Sequence, residues 1–205
     1  GINRKRIQRL MSILGLAAIY PKRHLSQPAP GHEIHPYLLR DVVIHSVNQV
    51  WSSDITYVRL QDGFGYLAAV IDWFSRFVLS WAVSNTVDAW LCREVLDAAL
   101  ASNAQPEIFN TDQGSQFTSQ LFLAPLKERN IRISMDGRGR ALDNAFIERL
   151  WRTVKYEYIY LHEYTSLTEL RQGLRRFFYE YNFLRPHQAL QYRTPAEVFF
   201  STQQK

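Results

Sequence analysis

The 205-residue chain carries 46% hydrophobic and 14% aromatic residues and a formal net charge of +5. That is enough for one domain of about 150 residues with flanking segments. No apolar run approaches the roughly 18 residues a membrane span needs, and no apolar leader follows the first residues, so neither a membrane protein nor a secreted one is expected. The single cysteine, Cys92, has no partner for an internal disulfide and reads as a small core residue, which fits a reducing cytoplasmic setting.

The charge is unevenly placed. Residues 1–40 hold seven Lys/Arg against one acid, and the remainder is almost balanced. A second excess runs from Arg129 to Lys155, with seven basic residues against three acidic. Such clusters favour polyanions, nucleic acid first; a solvated charged face is the plainer reading. The chain begins with Gly1, as a processed or trimmed protein or a piece of a longer reading frame would.

In chain order, Ile7, Leu10, Met11 and Leu14 recur at helical spacing with Gly15 as a stop, giving a short amphipathic helix that calls for a neighbour. Pro21, Pro28, Pro30, Gly31 and Pro36 mark an extended linker. His32 and His35 within it lack the companions of a metal site. Strands are predicted over 51–60, 64–72 and 77–83, the first two joined by the Gln61-Asp62-Gly63 turn. Asp88 caps a helix to about 102, and a short strand spans 106–111. A helix over 119–129, a strand over 131–135, a glycine-containing loop, a helix over 143–160 and a last helix over 167–183, stopped by Arg185-Pro186, complete the pattern. Three strands on tight turns followed by helix, strand, helix, strand, helix argue for a mixed α/β sheet flanked by helices.

Three acids then stand out. Asp54 interrupts an otherwise apolar strand, where a buried carboxylate is costly unless paired or metal-bound; a solvent-facing side chain is the alternative. Asp112 follows the fourth strand, where ligands gather in such sheets, though Asp before Gln-Gly is also a good turn residue. Glu148 lies on a helix with thirty-five residues between it and Asp112. Arg152 and Lys155 share its helix face at i+4 and i+7, Asn144 extends that face at i−4, and Arg138 and Arg140 lie in the preceding loop. This is either a structural ion pair on a solvated helix or an acid that binds metal beside cations that grip a DNA backbone. Carboxylates are natural ligands for hard divalent ions, and two such ions can drive phosphoryl transfer.

Residues 51–60, 68–84, 110–119, 141–164 and 179–199 together resemble the catalytic core of bacterial insertion-sequence transposases with the D,D(35)E pattern. The resemblance covers about residues 46–200. It implies a ribonuclease H-like, retroviral-integrase-like core with a five-stranded sheet over 47–205, preceded by a linker over 26–46 and, over 1–25, the end of a helical DNA-binding region. It further implies that Asp54, Asp112 and Glu148 hold two Mg²⁺ or Mn²⁺ ions. The ions would direct water at a transposon end and then the freed 3′-OH at a target phosphodiester. Lys155 matches a position that contacts the element end, with Arg152, Asn144, Arg138 and Arg140 as further candidate DNA contacts. Asp72 in Asp72-Trp73-Phe74-Ser75-Arg76 is expected to be a structural turn residue, and His187 a packing or capping residue. Asn110-Thr111 departs from the His-Ser more usual before the aspartate. Partners implied are DNA, further copies of the chain, and an upstream-frame product or fused N-terminal region. Location would be the bacterial cytoplasm, on the nucleoid when DNA-bound. The competing readings are a catalytically silent DNA-binding remnant and a hydrolytic nuclease on the same fold.

Overall fold

The computed structural model describes residues 3–16, 32–101, 104–137 and 144–201. The helix α1 (Arg4–Ile13) is capped by Asn3, whose side chain accepts from the Lys5 amide, and it ends before Gly15 at φ +66°. None of its residues is buried. The strands β1 (Val50–Leu60), β2 (Gly63–Asp72) and β3 (Val78–Ser84) form an antiparallel meander. The helix α2 (Ala89–Leu100) starts where Asp88 accepts a hydrogen bond from the Leu91 amide at 3.0 Å. Next come β4 (Ile108–Thr111), α3 (Gln120–Glu128), β5 (Arg132–Met135), α4 (Ala145–Glu157), α5 (Leu167–Tyr179) and α6 (Pro195–Ser201).

The five strands lie in the order β3-β2-β1-β4-β5, with β4 and β5 parallel to β1. Side chains alternate across the sheet, and the alternation sorts the core into two layers. Val50, Val58, Ile71 and Ile108 pack with Ile147, Leu150, Val154, Leu170 and Leu174 of α4 and α5. Trp51, Val70 and Phe109 pack with Leu91, Cys92, Val95, Phe122 and Leu126 of α2 and α3. Asp54 has the parity of Val50 and Val58, so β1 presents it to the α4 side.

Several boundaries differ from the expected ones, each for a visible reason. The helix expected to reach 160 ends at Glu157 and yields to a single 3-10 turn over Ile159–Leu161; its expected start at Asp143 lies outside the described residues. The last predicted helix loosens into a π turn over Glu180–Leu184. There Asn182 exchanges two 2.9 Å hydrogen bonds with the backbone of Val78, tying the tail to the outer strand. Helix α6 was not anticipated. Its signal is Thr194-Pro195-Ala196-Glu197, a capping box: the Thr194 amide donates to Glu197 Oε2, and the Glu197 amide to Thr194 Oγ1.

The described part of the expected linker, residues 32–46, lies against the core. The Glu33 amide donates to the Thr118 carbonyl, the Leu38 amide donates to Ser134 Oγ at 3.0 Å, and Leu39 is buried. Pro21, Pro28, Pro30 and Gly31 lie outside the described residues. Among the described residues no helix is long and apolar enough to cross a membrane.

Candidate active site

Strands β1 and β4 pair only from Val50↔Ile108 to Ser52↔Asn110. Beyond that point β4 ends, and among the described residues no strand pairs with β1 on that side. The two strands therefore open a crevice at the carboxyl end of β4, the place where ligands bind in open α/β sheets. Asp54 stands on one lip, two residues past the last position of β1 that pairs with β4. Asp112 stands on the other, just past the end of β4.

Asp54 is half-buried. Its Oδ2 accepts from the indole Nε1 of Trp151 at 2.9 Å, and its Oδ1 from the amide of Ile55 at 2.8 Å. Burial pushes its pKa up to about 6. The two hydrogen bonds oppose that rise, and the nearby charges of Asp112 and Glu148 add to it. Asp112 Oδ1 accepts from the Gly114 amide at 2.8 Å. Solvent reaches Asp112, yet the protein crowded around it raises its pKa by desolvation. A Cβ at Gly114 would come within 2.8 Å of that same Oδ1, so the tight Asp112-Gln113-Gly114 turn needs glycine to keep the carboxylate in place.

Glu148 is exposed in the first turn of α4 and forms no ion pair among the described residues. The structural pairing with Arg152 is thus absent, and Arg152 is exposed. Lys155 is half-buried, and its Nζ lies 4.6 Å from the centroid of the Tyr57 ring. Asn144 is buried at the N-cap of α4 without a side-chain cap hydrogen bond, and its Oδ1 has no partner among the described residues. Arg138 and Arg140 lie outside the described residues.

Among the described residues no three His, Cys, Asp or Glu side chains already close up into a cluster that could hold a metal ion. Even so, the donor chemistry fits a hard divalent cation. Asp54 carries a pKa raised in part by two neighbouring acids, and carboxylate oxygens are the ligands such ions take.

Trp151 is the residue that sequence reasoning missed. Its indole crosses from α4 to β1, fixing the helix that carries Glu148 against the strand that carries Asp54. Its position three residues after Glu148 was the available signal.

Asp72 is a turn residue. It is fully buried, and it accepts from the Ser75 amide and hydroxyl and from the Asn48 amide. The turn it organises reaches the site through packing. Trp73 meets Phe146 of α4 at 4.7 Å between centroids, and the Arg76 guanidinium sits 3.7 Å over the same ring. His187 packs edge-on to Tyr181 at 4.8 Å, and burial lowers its pKa. Burial likewise pushes the Cys92 thiol up, with the charges of Asp112 and Asp54 adding to the rise, and Cys92 packs as a core residue in the α2/α3 layer.

Two models of the integrase core domain match the chain, over residues 44–141 and 129–195. The transposase for insertion sequence element IS904 of Lactococcus lactis subsp. lactis is 32% identical over 202 residues, which are 95% of this chain and 79% of that protein. The putative transposase InsK for insertion sequence element IS150 of Escherichia coli K12 is 34% identical, over 96% of this chain and 71% of its own length. Transposase InsF for insertion sequence IS3A of the same strain is 35% identical over 80% of this chain, which spans 58% of InsF. Among solved structures, a chain of a simian T-cell lymphotropic virus intasome in complex with PP2A regulatory subunit B56 gamma superposes with a TM-score of 0.68 at 20% identity, over 84% of this chain and 61% of that one. The HTLV-2 integrase catalytic core domain in complex with magnesium gives 0.58 at 21% identity, over 75% of this chain and 97% of that one. At such identity these two likenesses speak for the fold. Matched in sequence along nearly its whole length, this chain belongs to the insertion-sequence transposases built on an integrase core domain.

Proposed function

We propose that the β1/β4 crevice is the site of DNA strand cleavage and strand transfer at insertion-sequence ends, with Asp54, Asp112 and Glu148 as its three carboxylates. The observation that carries this reading is the Trp151–Asp54 hydrogen bond, which locks the Glu148 helix beside a crevice flanked by the two aspartates. When bound, two Mg²⁺ or Mn²⁺ ions would supply Lewis acidity and orient the attacking and leaving oxygens. The chain's own contribution is to hold and orient. Asp54, with its two oxygens oriented by Trp151 and Ile55, and Asp112, with Oδ1 oriented by the Gly114 amide, would turn their remaining lone pairs towards the ions. Glu148, exposed and without an ion pair among the described residues, would swing in from α4. Lys155 and Arg152 on the same helix would hold the phosphate backbone, and Asn144 at the helix start would add an amide oxygen that has no partner among the described residues. Arg138 and Arg140 are candidates for the same work. No covalent link between protein and DNA is required. The partners proposed are element ends, target DNA, further copies of this chain and an N-terminal DNA-binding region or upstream-frame product, acting in the bacterial cytoplasm and on the nucleoid. Residues 1–25, 26–46 and 47–205 would serve as DNA-binding end, linker and core.

The test is resolution of a branched DNA that mimics the strand-transfer product, with Mg²⁺ or Mn²⁺, comparing the parent with Asp112→Asn. Metal-dependent resolution by the parent, lost in the variant, is the expected result. Equal activity in both would dismiss the triad. Metal-independent binding with no resolution would favour a silent DNA-binding module, and cutting without joining a nuclease.

Trp151→Phe keeps most of the buried ring and removes the indole donor. Partners that orient a metal ligand through a hydrogen bond are worth about 10–100-fold in metal affinity. We expect that loss for Mn²⁺ by titration calorimetry; an unchanged affinity would reduce Trp151 to a packing residue.

A further inference from the structure

Beyond Ser52 the outer edge of β1 runs away from the crevice, and the hairpin it forms with β2 exposes an unusual face. Tyr57 and Phe64 are 62% and 54% exposed. Their rings meet edge to face with centroids 5.9 Å apart. Arg59 has the same strand parity as Tyr57, sits directly opposite Phe64 in the sheet register, and is exposed. Lys155 reaches over from α4 to place its ammonium on the Tyr57 ring, and it feels the charge of Asp54. Two aromatic rings and two cations therefore form a strip on the sheet face opposite to Asp54, joined to the active-site side by Lys155, which reaches over the edge of β1 that β4 leaves uncovered, and leading out along the hairpin. Single-stranded nucleic acid is bound by this combination: aromatic faces for the bases, cations for the phosphates. A duplex offers no free base face to Tyr57 or Phe64.

From this we infer that Tyr57 and Phe64, flanked by Lys155 and Arg59, are a stacking platform for unpaired nucleotides of the DNA strand entering or leaving the active site. The inference rests on the cleavage reading above for its purpose, though not for its chemistry. Tyr57 would take the base nearest the crevice, with Lys155 on the adjoining phosphate and Phe64 and Arg59 on the next nucleotide.

The probe is a 12-nucleotide single strand with a central 2-aminopurine, titrated with the full 205-residue chain in metal-free buffer, beside a duplex of the same length. Stacking should quench the 2-aminopurine emission. Tyr57→Ala should weaken single-strand binding about 5- to 150-fold, the range that one base–aromatic stack gives by alanine substitution. Tyr57→Phe should keep both affinity and quench, and duplex binding should change little in either variant. Because Tyr57 is largely exposed, both variants should keep the parental melting temperature; Phe64→Ala supplies an independent second reading on the same strip. If Tyr57→Ala binds the single strand as the parent does, or weakens duplex and single strand equally, the platform is wrong. Failure here is separable from failure of the cleavage reading. A parent that resolves branched DNA but whose strand binding ignores Tyr57 sinks only the platform, and an inert parent with Tyr57-dependent binding sinks only the active site.

Discussion

Asp54→Asn is expected to abolish strand transfer while making the metal-free protein more stable. Loss of one carboxylate from a site that depends on several kcal/mol of metal-borne charge stabilisation should lower branch resolution on the order of 10³-fold or more. The stability effect has the opposite sign because of where Asp54 sits. Its pKa in the fold is about 6 against an ordinary 3.8, raised first by burial and then by Asp112 and Glu148. The fold therefore prefers the protonated form. Stability from this group is fully present below pH 3.8, falls as pH rises through about 6, and is flat above. The full shift would convert to about 3 kcal/mol; solvent reaching a half-buried group argues for about 1–2 kcal/mol. Asparagine stays neutral throughout and can still accept from the Trp151 indole. Melting curves in EDTA should thus coincide for parent and variant near pH 4 and separate by pH 7, the variant melting higher. Adding Mg²⁺ should raise the parent alone. A variant that melts lower than the parent at pH 7 would mean that Asp54 is held as a structural group and the crevice is not built for cations.

Much of this architecture is written locally. Asp88 caps α2 as expected, and the helix expected from 119 begins where Ser119 caps α3. The apolar character of β1 and β2 and the turn at Gly63, with φ +128°, are equally local, and so the meander and the place of Asp54 on the first strand were legible. What was not legible depends on how distant segments dock. The Trp151 indole meets Asp54 across 97 positions, and no periodicity encodes that contact. Asn182 clamps Val78 across 104 positions, and the resulting π turn replaces the helical end that local propensity favours. Residues 32–39 look like linker because they follow Pro28, Pro30 and Gly31 and contain Pro36, yet Ser134 and Thr118 offer them partners that only the assembled sheet supplies. The candidate acids were found by type and spacing, but that Glu148 does not pair with Arg152 is a matter of side-chain placement that the i+4 rule left open.

Asp72→Ala should be the most destabilising single change among the acids discussed, with a cost on the order of 3–5 kcal/mol by urea or thermal unfolding. Asp72 shares with Asp54 a pKa raised by burial, so its negative charge as such is not what holds the turn. Its oxygens are. One accepts from both the amide and the hydroxyl of Ser75, the other from the amide of Asn48, which is held at φ +61°. Alanine leaves these donors unsatisfied at a fully buried position and strips the counter-charge from the half-buried Arg76. Asparagine should cost less than alanine, since one amide oxygen can still serve Ser75, but its NH₂ group would face the Asn48 amide donor to donor. That ordering, parent above Asn above Ala, separates turn geometry from charge: a purely electrostatic role would make Asn and Ala equal. The damage should also spread to the site, because the same turn carries Trp73 and Arg76 onto Phe146 at the start of the Glu148 helix. Were Asp72 instead a ligand of the metal, its alanine variant would melt like the parent in EDTA and lose only the stabilisation by Mg²⁺.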